Sequence, residues 1–172
     1  MNIYYIDIEE FKRNHDKDFL SEYADKEFKN EKRFYEYTIG RYLVKNVAKK
    51  IYKIEDCEII LNENDKPVFK NSDLHFSISH SKDYAVVCFD INQCGIDIEF
   101  IKERNFKKIS QYYGKNIATS DEFYKYWTFK EASYKLSEEV KDSYCTIFKN
   151  NYCLTVVSEK IFDKNIDIIH FE

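Results

Sequence analysis

The 172 residues predict an α+β fold built as two similar halves, and three observations carry that prediction. A strand–helix–strands order occurs twice along the chain, the pattern of α+β rather than alternating α/β architecture. Each half has one long helical segment with a legible start or apolar stripe. The composition, 44% hydrophobic and 17% aromatic, can fill a sizeable core, and three glycines with one proline leave little for linkers. The halves meet near residues 90 to 94, giving segments 1–92 and 93–172 with no internal sequence repeat between them.

In the first half, Ile3 to Ile8 reads as an opening strand. Phe11 to Phe28 is polar and reads as a helix with a break. From Lys32 to Tyr52 the pattern is helical: Ile39, Leu43, Val47 and Ile51 recur every four residues as one apolar stripe. Arg41, Lys45, Lys49 and Lys53 form a basic line on another face, either a solvated surface or a place for phosphate or an acidic partner. Short strands follow at Cys57 to Leu61 and Pro67 to Phe69, around the turn Asn62-Glu63-Asn64-Asp65-Lys66. Two more, Leu74 to Ser79 and Tyr84 to Asp90, are joined by Ser81-Lys82-Asp83.

The second half opens on Cys94-Gly95-Ile96-Asp97-Ile98-Glu99, whose alternation is that of a strand with the two isoleucines turned to a core. Asp97 and Glu99, two apart, share the other face and repel unless a positive charge lies between them. A hard divalent cation such as Mg²⁺, which takes oxygen ligands, satisfies that arrangement. Gly95, on the same face, would leave room for a ligand to approach the backbone. Phe106 to Gly114 reads as a short helix. A longer helix starts at Thr119-Ser120-Asp121-Glu122, where Thr119 and Glu122 have capping-box spacing, and runs through Lys135. Trp127, Glu131 and Lys135, four apart, line one face of it. Cys145 to Lys149, Tyr152 to Ser158 and Ile166 to Phe171 read as closing strands.

Charge and cysteine usage narrow the function classes. A net charge of −4 gives the molecule no nucleic-acid footprint, although residues 26–53 hold nine basic side chains against three acidic ones. The five cysteines are odd in number and lack a C-x-x-C, which argues for reduced thiols over a disulfide frame or a zinc site. No apolar run reaches membrane-spanning length, and Met1-Asn2-Ile3-Tyr4-Tyr5 lacks a basic region before an apolar block. A soluble cytoplasmic protein is expected. His80-Ser81 at a strand end has no G-x-S-x-G elbow, so a serine hydrolase is disfavoured against a donor pair for phosphate or ribose.

With the acidic strand beside the second helix, Asp97, Glu99 and Glu131 would offer three carboxylates to one magnesium ion. Lys135, one turn beyond Glu131, would reach a phosphate that the metal also holds. The residues that carry this site resemble the 4′-phosphopantetheinyl transferases, in particular the longer surfactin-synthetase type. The likeness lies in Gly95-Ile96-Asp97-Ile98-Glu99 and in Trp127-Thr128-Phe129-Lys130-Glu131-Ala132-Ser133-Tyr134-Lys135. Asp65-Lys66-Pro67, Phe76-Ser77-Ile78-Ser79-His80-Ser81, and Arg33-Phe34 with Gly40-Arg41 and Leu43 add to it, in the same order along the chain.

The resemblance implies two α+β halves related by a pseudo-twofold, with coenzyme A in the cleft between them. It implies transfer of phosphopantetheine from coenzyme A to a serine of an acyl or peptidyl carrier protein. Asp97, Glu99 and Glu131 look like the magnesium ligands, with Glu131 also the base for the serine proton. Lys135 would neutralise the pyrophosphate. Ser79 and His80 look like contacts to the phosphates, and Lys66 to the phosphate or adenine end. Lys29, Arg33 and Arg41 are candidates for the 3′-phosphate. A two-halved chain would complete its cleft alone, so a monomer is expected.

Three features depart from the family pattern. Gln111-Tyr112-Tyr113-Gly114-Lys115-Asn116-Ile117 replaces an aromatic block that carries a glutamate. Leu136-Ser137-Glu138-Glu139-Val140 replaces a glycine-rich turn, and the C-terminal half is trimmed. These motivate a second reading, a degenerate member that binds coenzyme A or a carrier without turnover. A magnesium-dependent nuclease is a third, opposed by the net acidic charge and the lack of aromatic–basic interleaving.

Overall fold

The computed structural model describes residues 1–103, 106–114 and 117–172, with the backbone alone for Lys107 and Ser110. Lys115 and Asn116 of the replaced aromatic block therefore lie outside the described residues. The chain opens with β1 (Asn2–Asp7), ended by the Asp7 side chain, which accepts from the Glu10 amide and caps α1 (Ile8–Asn14). Ile8 thus belongs to the helix and not to the strand. The polar stretch read as a broken helix over Phe11 to Phe28 resolves into α1 and α2 (Lys17–Ser21), broken where Asp16 caps the second helix.

The basic helix is α3 (Glu31–Lys50), capped by Asn30. Ile39, Leu43 and Val47 are wholly buried, but Ile51 is 51% exposed. A four-residue step drifts about 40° around a helix of 3.6 residues per turn, so a stripe with this spacing leaves the core face after three turns. The basic line splits for the same reason: Arg41 is buried, Lys49 is exposed, and Lys53 lies beyond the helix end.

Next come β2 (Ile59–Leu61) and β3 (Pro67–Phe69), paired as a small hairpin, then β4 (His75–Ser81) and β5 (Tyr84–Asp90). β6 (Cys94–Phe100), α4 (Phe106–Tyr112) and α5 (Ser120–Leu136) follow. The capping box at Thr119 and Glu122 is formed as the spacing predicts. β7 (Asp142–Phe148), β8 (Tyr152–Ser158) and β9 (Ile168–His170) close the chain.

The strands form two larger sheets, one in the order β4-β5-β1-β9 and one in the order β6-β8-β7. β9 pairs parallel to β1, so the end of the chain crosses back to the first sheet. Alternation along the strands decides the layers. Tyr4, Ile6, Val87 and Phe89 face α3, whereas Ile3, Tyr5, Val86 and Cys88 face Ile96, Ile98, Leu154 and Val156 of the second sheet. On the outer side of that sheet, Val157 and Cys153 pack under α5. The result is a helix–sheet–sheet–helix stack, an α+β fold.

Gly95 is fixed by this stack. A Cβ there would stand 2.1 Å from the Ala132 carbonyl oxygen and 3.0 Å from the Leu136 amide. The missing side chain admits helix α5 against the strand, not a ligand as the sequence suggested.

Candidate functional site

The edge of β6 that faces away from β8 is covered by serines. Phe76 and Ile78 of β4 point toward α3, so Ser77, Ser79 and Ser81 point the other way. Their hydroxyls accept from the amides of Ile96 (3.1 Å), Ile98 (3.3 Å) and Phe100 (3.0 Å). An edge strand presents unpaired backbone donors, and this hydroxyl ladder satisfies them while joining the two sheets. The same hydroxyls donate to the acids on that strand: Ser79 to Asp97 Oδ1 at 2.8 Å and Ser81 to Glu99 Oε2 at 3.4 Å. Ser79 is thereby buried between the halves.

Asp97 is 6% exposed. Its Oδ1 also accepts from Lys135 Nζ at 2.8 Å, and the same ammonium donates to the Ile96 carbonyl at 3.0 Å. Lys135 thus crosses from α5 to β6, and its carboxylate partner there is Asp97 rather than Glu131, one turn before it. Glu131 is one-third exposed, 3.7 Å from Lys130. Lys130 in turn lies over the rings of Tyr113 (4.4 Å) and Trp127 (5.1 Å). Among the described residues no three His, Cys, Asp or Glu side chains gather closely enough to hold a metal ion. The donor chemistry nevertheless fits a hard cation at Asp97, whose Oδ2 is buried and has no hydrogen-bond partner.

Two adjoining cavities lie along the seam; Asp97 lines neither, but its partner Lys135 lines the nearer. The nearer, of about 230 Å³, is walled by the Asn64–Pro67 turn, β4 residues Phe76, Ser77 and Ile78, and Tyr134, Lys135 and Ser137. The farther, of about 460 Å³, shares Pro67 and Ile78 with it and adds Arg33, Glu36, Tyr37, Arg41 and His80. His80 sits there because, like Ile78, it faces α3; its Nδ1 is 3.7 Å from Glu36. Burial pushes its pKa down, more than Glu36 raises it. Arg41 donates from Nη2 to the Tyr37 hydroxyl at 3.1 Å, and Tyr37 donates to Asp25 at 2.6 Å. Arg41 Nη1 is buried without a partner.

Two sequence-predicted residues are used differently: Lys29 lies outside both cavities, while Lys66 belongs to the turn that walls the nearer one but turns its ammonium inward. Lys29 lines a separate concavity with Lys26, Phe28 and Phe34. Lys66 is buried, and its ammonium donates to Gln93 Oε1 (2.8 Å) and to the carbonyls of Cys94 (3.2 Å) and Leu136 (3.4 Å). It ties the turn to the end of α5 and the start of β6, a cation at a helix C-terminus. Glu36, Tyr37 and Tyr134 are lining residues that sequence reasoning passed over. The signal for the first two was their spacing from Arg33 and Arg41 on one helix face.

No family model matches the chain. Among curated proteins it is 29% identical over 136 residues to the 4′-phosphopantetheinyl transferase gsp of Aneurinibacillus migulanus, a match covering 68% of this chain and 57% of that protein. It is 29% identical over 110 residues to the 4′-phosphopantetheinyl transferase Sfp of Bacillus subtilis, covering 56% of this chain and 49% of the relative. The Bacillus subtilis transferase ffp gives 28% over 110 residues, with the same coverage. The chain spans about half the length of the curated relatives it matches.

Proposed function

We propose, from the chain's relationship to the surfactin-type 4′-phosphopantetheinyl transferases, that it moves 4′-phosphopantetheine from coenzyme A to a serine of an acyl or peptidyl carrier protein in a Mg²⁺-dependent reaction. One observation carries the reading. Among the described residues two buried side-chain polar atoms lack partners, and they are complementary: Arg41 Nη1, an anion's donor, and Asp97 Oδ2, a cation's acceptor. Arg41 lines the larger cavity, and Asp97 lies behind Lys135, its hydrogen-bond partner, which lines the smaller one adjoining it. A ligand with a phosphate at one end and a metal-bound diphosphate farther along uses both.

In this reading Arg33, Arg41 and His80 hold the 3′-phosphate of coenzyme A in the larger cavity, and Pro67 and Ile78 form its apolar wall. Lys29, set apart, acts only through long-range attraction. Asp97, whose Oδ2 is free, would hold magnesium, with Glu99 and Glu131 drawing in from their present positions to complete its ligands. The ion would supply charge neutralisation and alignment for the diphosphate oxygens. Lys135 contributes a second positive charge there and keeps Asp97 oriented. The carrier serine oxygen attacks the β-phosphorus, Glu131 accepts its proton, and the bond to 3′,5′-ADP breaks. Ser79 works through Asp97, and Lys66 through the carbonyls it gathers, so neither needs to touch the ligand.

We also propose that the segments 1–92 and 93–172 are related by a pseudo-twofold and act as a cytoplasmic monomer. The strand orders support the symmetry: β4-β5-β1 with α3 corresponds to β7-β8-β6 with α5.

The second reading, binding without turnover, is favoured by the replaced turn after α5, where Ser137 has a left-handed φ of 63° in place of glycine. A coenzyme A carrying a fluorophore on its thiol separates the two. Incubation with Mg²⁺ and a panel of apo carriers labels a carrier covalently if the chain is a transferase. Tight binding of the probe with every carrier unlabelled identifies the degenerate member.

A further inference from the structure

The outer face of the second sheet holds two thiols that the proposed reaction does not use. Cys145 on β7 is exposed and Cys153 on β8 is buried, with their sulfurs 3.6 Å apart. Cys145 stands opposite Thr155, and Cys153 opposite Ile147, so the two cysteines are diagonal neighbours on one face. Thr128 of α5 covers Cys153, its hydroxyl 2.7 Å from that of Thr155 and 3.5 Å from Cys153 Sγ.

The surroundings treat the two sulfurs differently. The hydrogen bond shared with Cys153, helped by Thr155 and Lys125, draws the exposed Cys145 thiol down from the usual thiol range against its partial burial, which favours the thiolate there. Cys153 is pushed up by the same bond and by burial, and stays a thiol. The fold provides an internal contrast. Cys88 and Cys94 also neighbour each other, but both are wholly buried, and Cys94 is pushed well above the usual thiol range by Cys88 and by burial.

We propose that Cys145 and Cys153 form a reversible dithiol–disulfide pair, with Cys145 the thiol that meets a peroxide oxidant and Cys153 the one that resolves it. The Cys145 thiolate attacks one peroxide oxygen, the O–O bond breaks, and the departing oxygen leaves as water once protonated. Cys145 is then a sulfenic acid. Cys153 gives up its proton and attacks the Cys145 sulfur, and the hydroxyl on that sulfur leaves with the proton as a second water. Two thiols and one hydrogen peroxide become one disulfide and two waters. The sulfurs must close from 3.6 Å to about 2.05 Å, and for a diagonal pair this takes a local shift of the β7–β8 backbone as well as side-chain rotation.

The test uses the whole chain, needs no transferase activity, and is therefore independent of the functional assignment. The protein is treated with hydrogen peroxide, alkylated under denaturing conditions and digested with trypsin, which cuts after Lys149 and puts the two cysteines on the separate peptides 142–149 and 150–160. The expected result is a linked mass of these two peptides that dithiothreitol abolishes. It should be absent from Cys145→Ser, an exposed and conservative change. Dimedone added with the peroxide should trap Cys145, not Cys88 or Cys94. The proposal is overturned if both cysteines remain alkylatable after peroxide, if Cys145 proceeds to sulfinic acid without a linked peptide, or if Cys88 and Cys94 link first.

Discussion

The Ser79 hydroxyl donates to Asp97 Oδ1 at 2.8 Å while accepting from the Ile98 amide at 3.3 Å, so one buried oxygen joins the two sheets and sets the orientation of the central carboxylate. Replacing it with alanine leaves an amide and a carboxylate oxygen each short of a partner. Ser79→Ala is expected to lower stability by about 1–3 kcal/mol in urea unfolding. It should lower the maximal transfer rate more than it weakens coenzyme A, because it acts through Asp97. An unchanged rate constant would reduce Ser79 to a structural link.

Gly95→Ala forces a Cβ to within 2.1 Å of the Ala132 carbonyl, and backbone cannot yield as a side chain can. The cost should be at least about 2 kcal/mol, read from the shift of the unfolding midpoint. Gly40→Ala is the control. Its Cβ meets only the Ile78 Cγ2 methyl at 3.1 Å, and alanine is the better helix former. The change there should be under about 1 kcal/mol. Equal effects would contradict the packing account.

The anion end is tested by 3′,5′-ADP. Arg41→Met removes a buried, charged donor from the larger cavity and should weaken binding about tenfold or more. Lys29→Met, in its separate concavity, should change the affinity less than about threefold. Calorimetric titration measures both. A larger loss at Lys29 would move the phosphate out of the cavity beside His80.

His80 gives a pH signature. Burial holds it below the ordinary histidine value, so the free protein carries it neutral at pH 7.5. A phosphate placed beside it raises that value, and binding then takes up a proton. Affinity for 3′,5′-ADP should therefore strengthen as pH falls from about 8 toward 7. Titrations in buffers of different ionisation enthalpy should show net proton uptake that His80→Ala removes. Equal uptake by both proteins would take His80 out of the site.

Much of the scaffold was legible in the sequence because local physics decides it. The Thr119 capping box, the β5 and β8 boundaries and the side of β6 that carries Asp97 all follow from spacing within a few residues. What escaped depends on partners far along the chain. Ser79 and Asp97 are 18 residues apart, and Lys66 meets Leu136 across 70. Nothing near either residue says that a serine will bridge two sheets or that a lysine will be spent on carbonyls. Gly95 reads as open space in sequence and as a helix contact in the fold, since a glycine marks a close approach without saying what approaches. β9 was legible as a strand within Ile166 to Phe171, but its parallel pairing with β1, which spans almost the whole chain, was not.

The most direct measurement is the intact mass of an apo carrier protein incubated with this chain, coenzyme A and Mg²⁺, beside the same reaction with Asp97→Asn, which keeps the shape of the side chain and removes its charge. The natural chain should add one phosphopantetheine to the carrier serine, and a folded Asp97→Asn none. Addition at equal rates by both would contradict the assignment, as would a carrier mass unchanged across a panel of carriers while coenzyme A still binds.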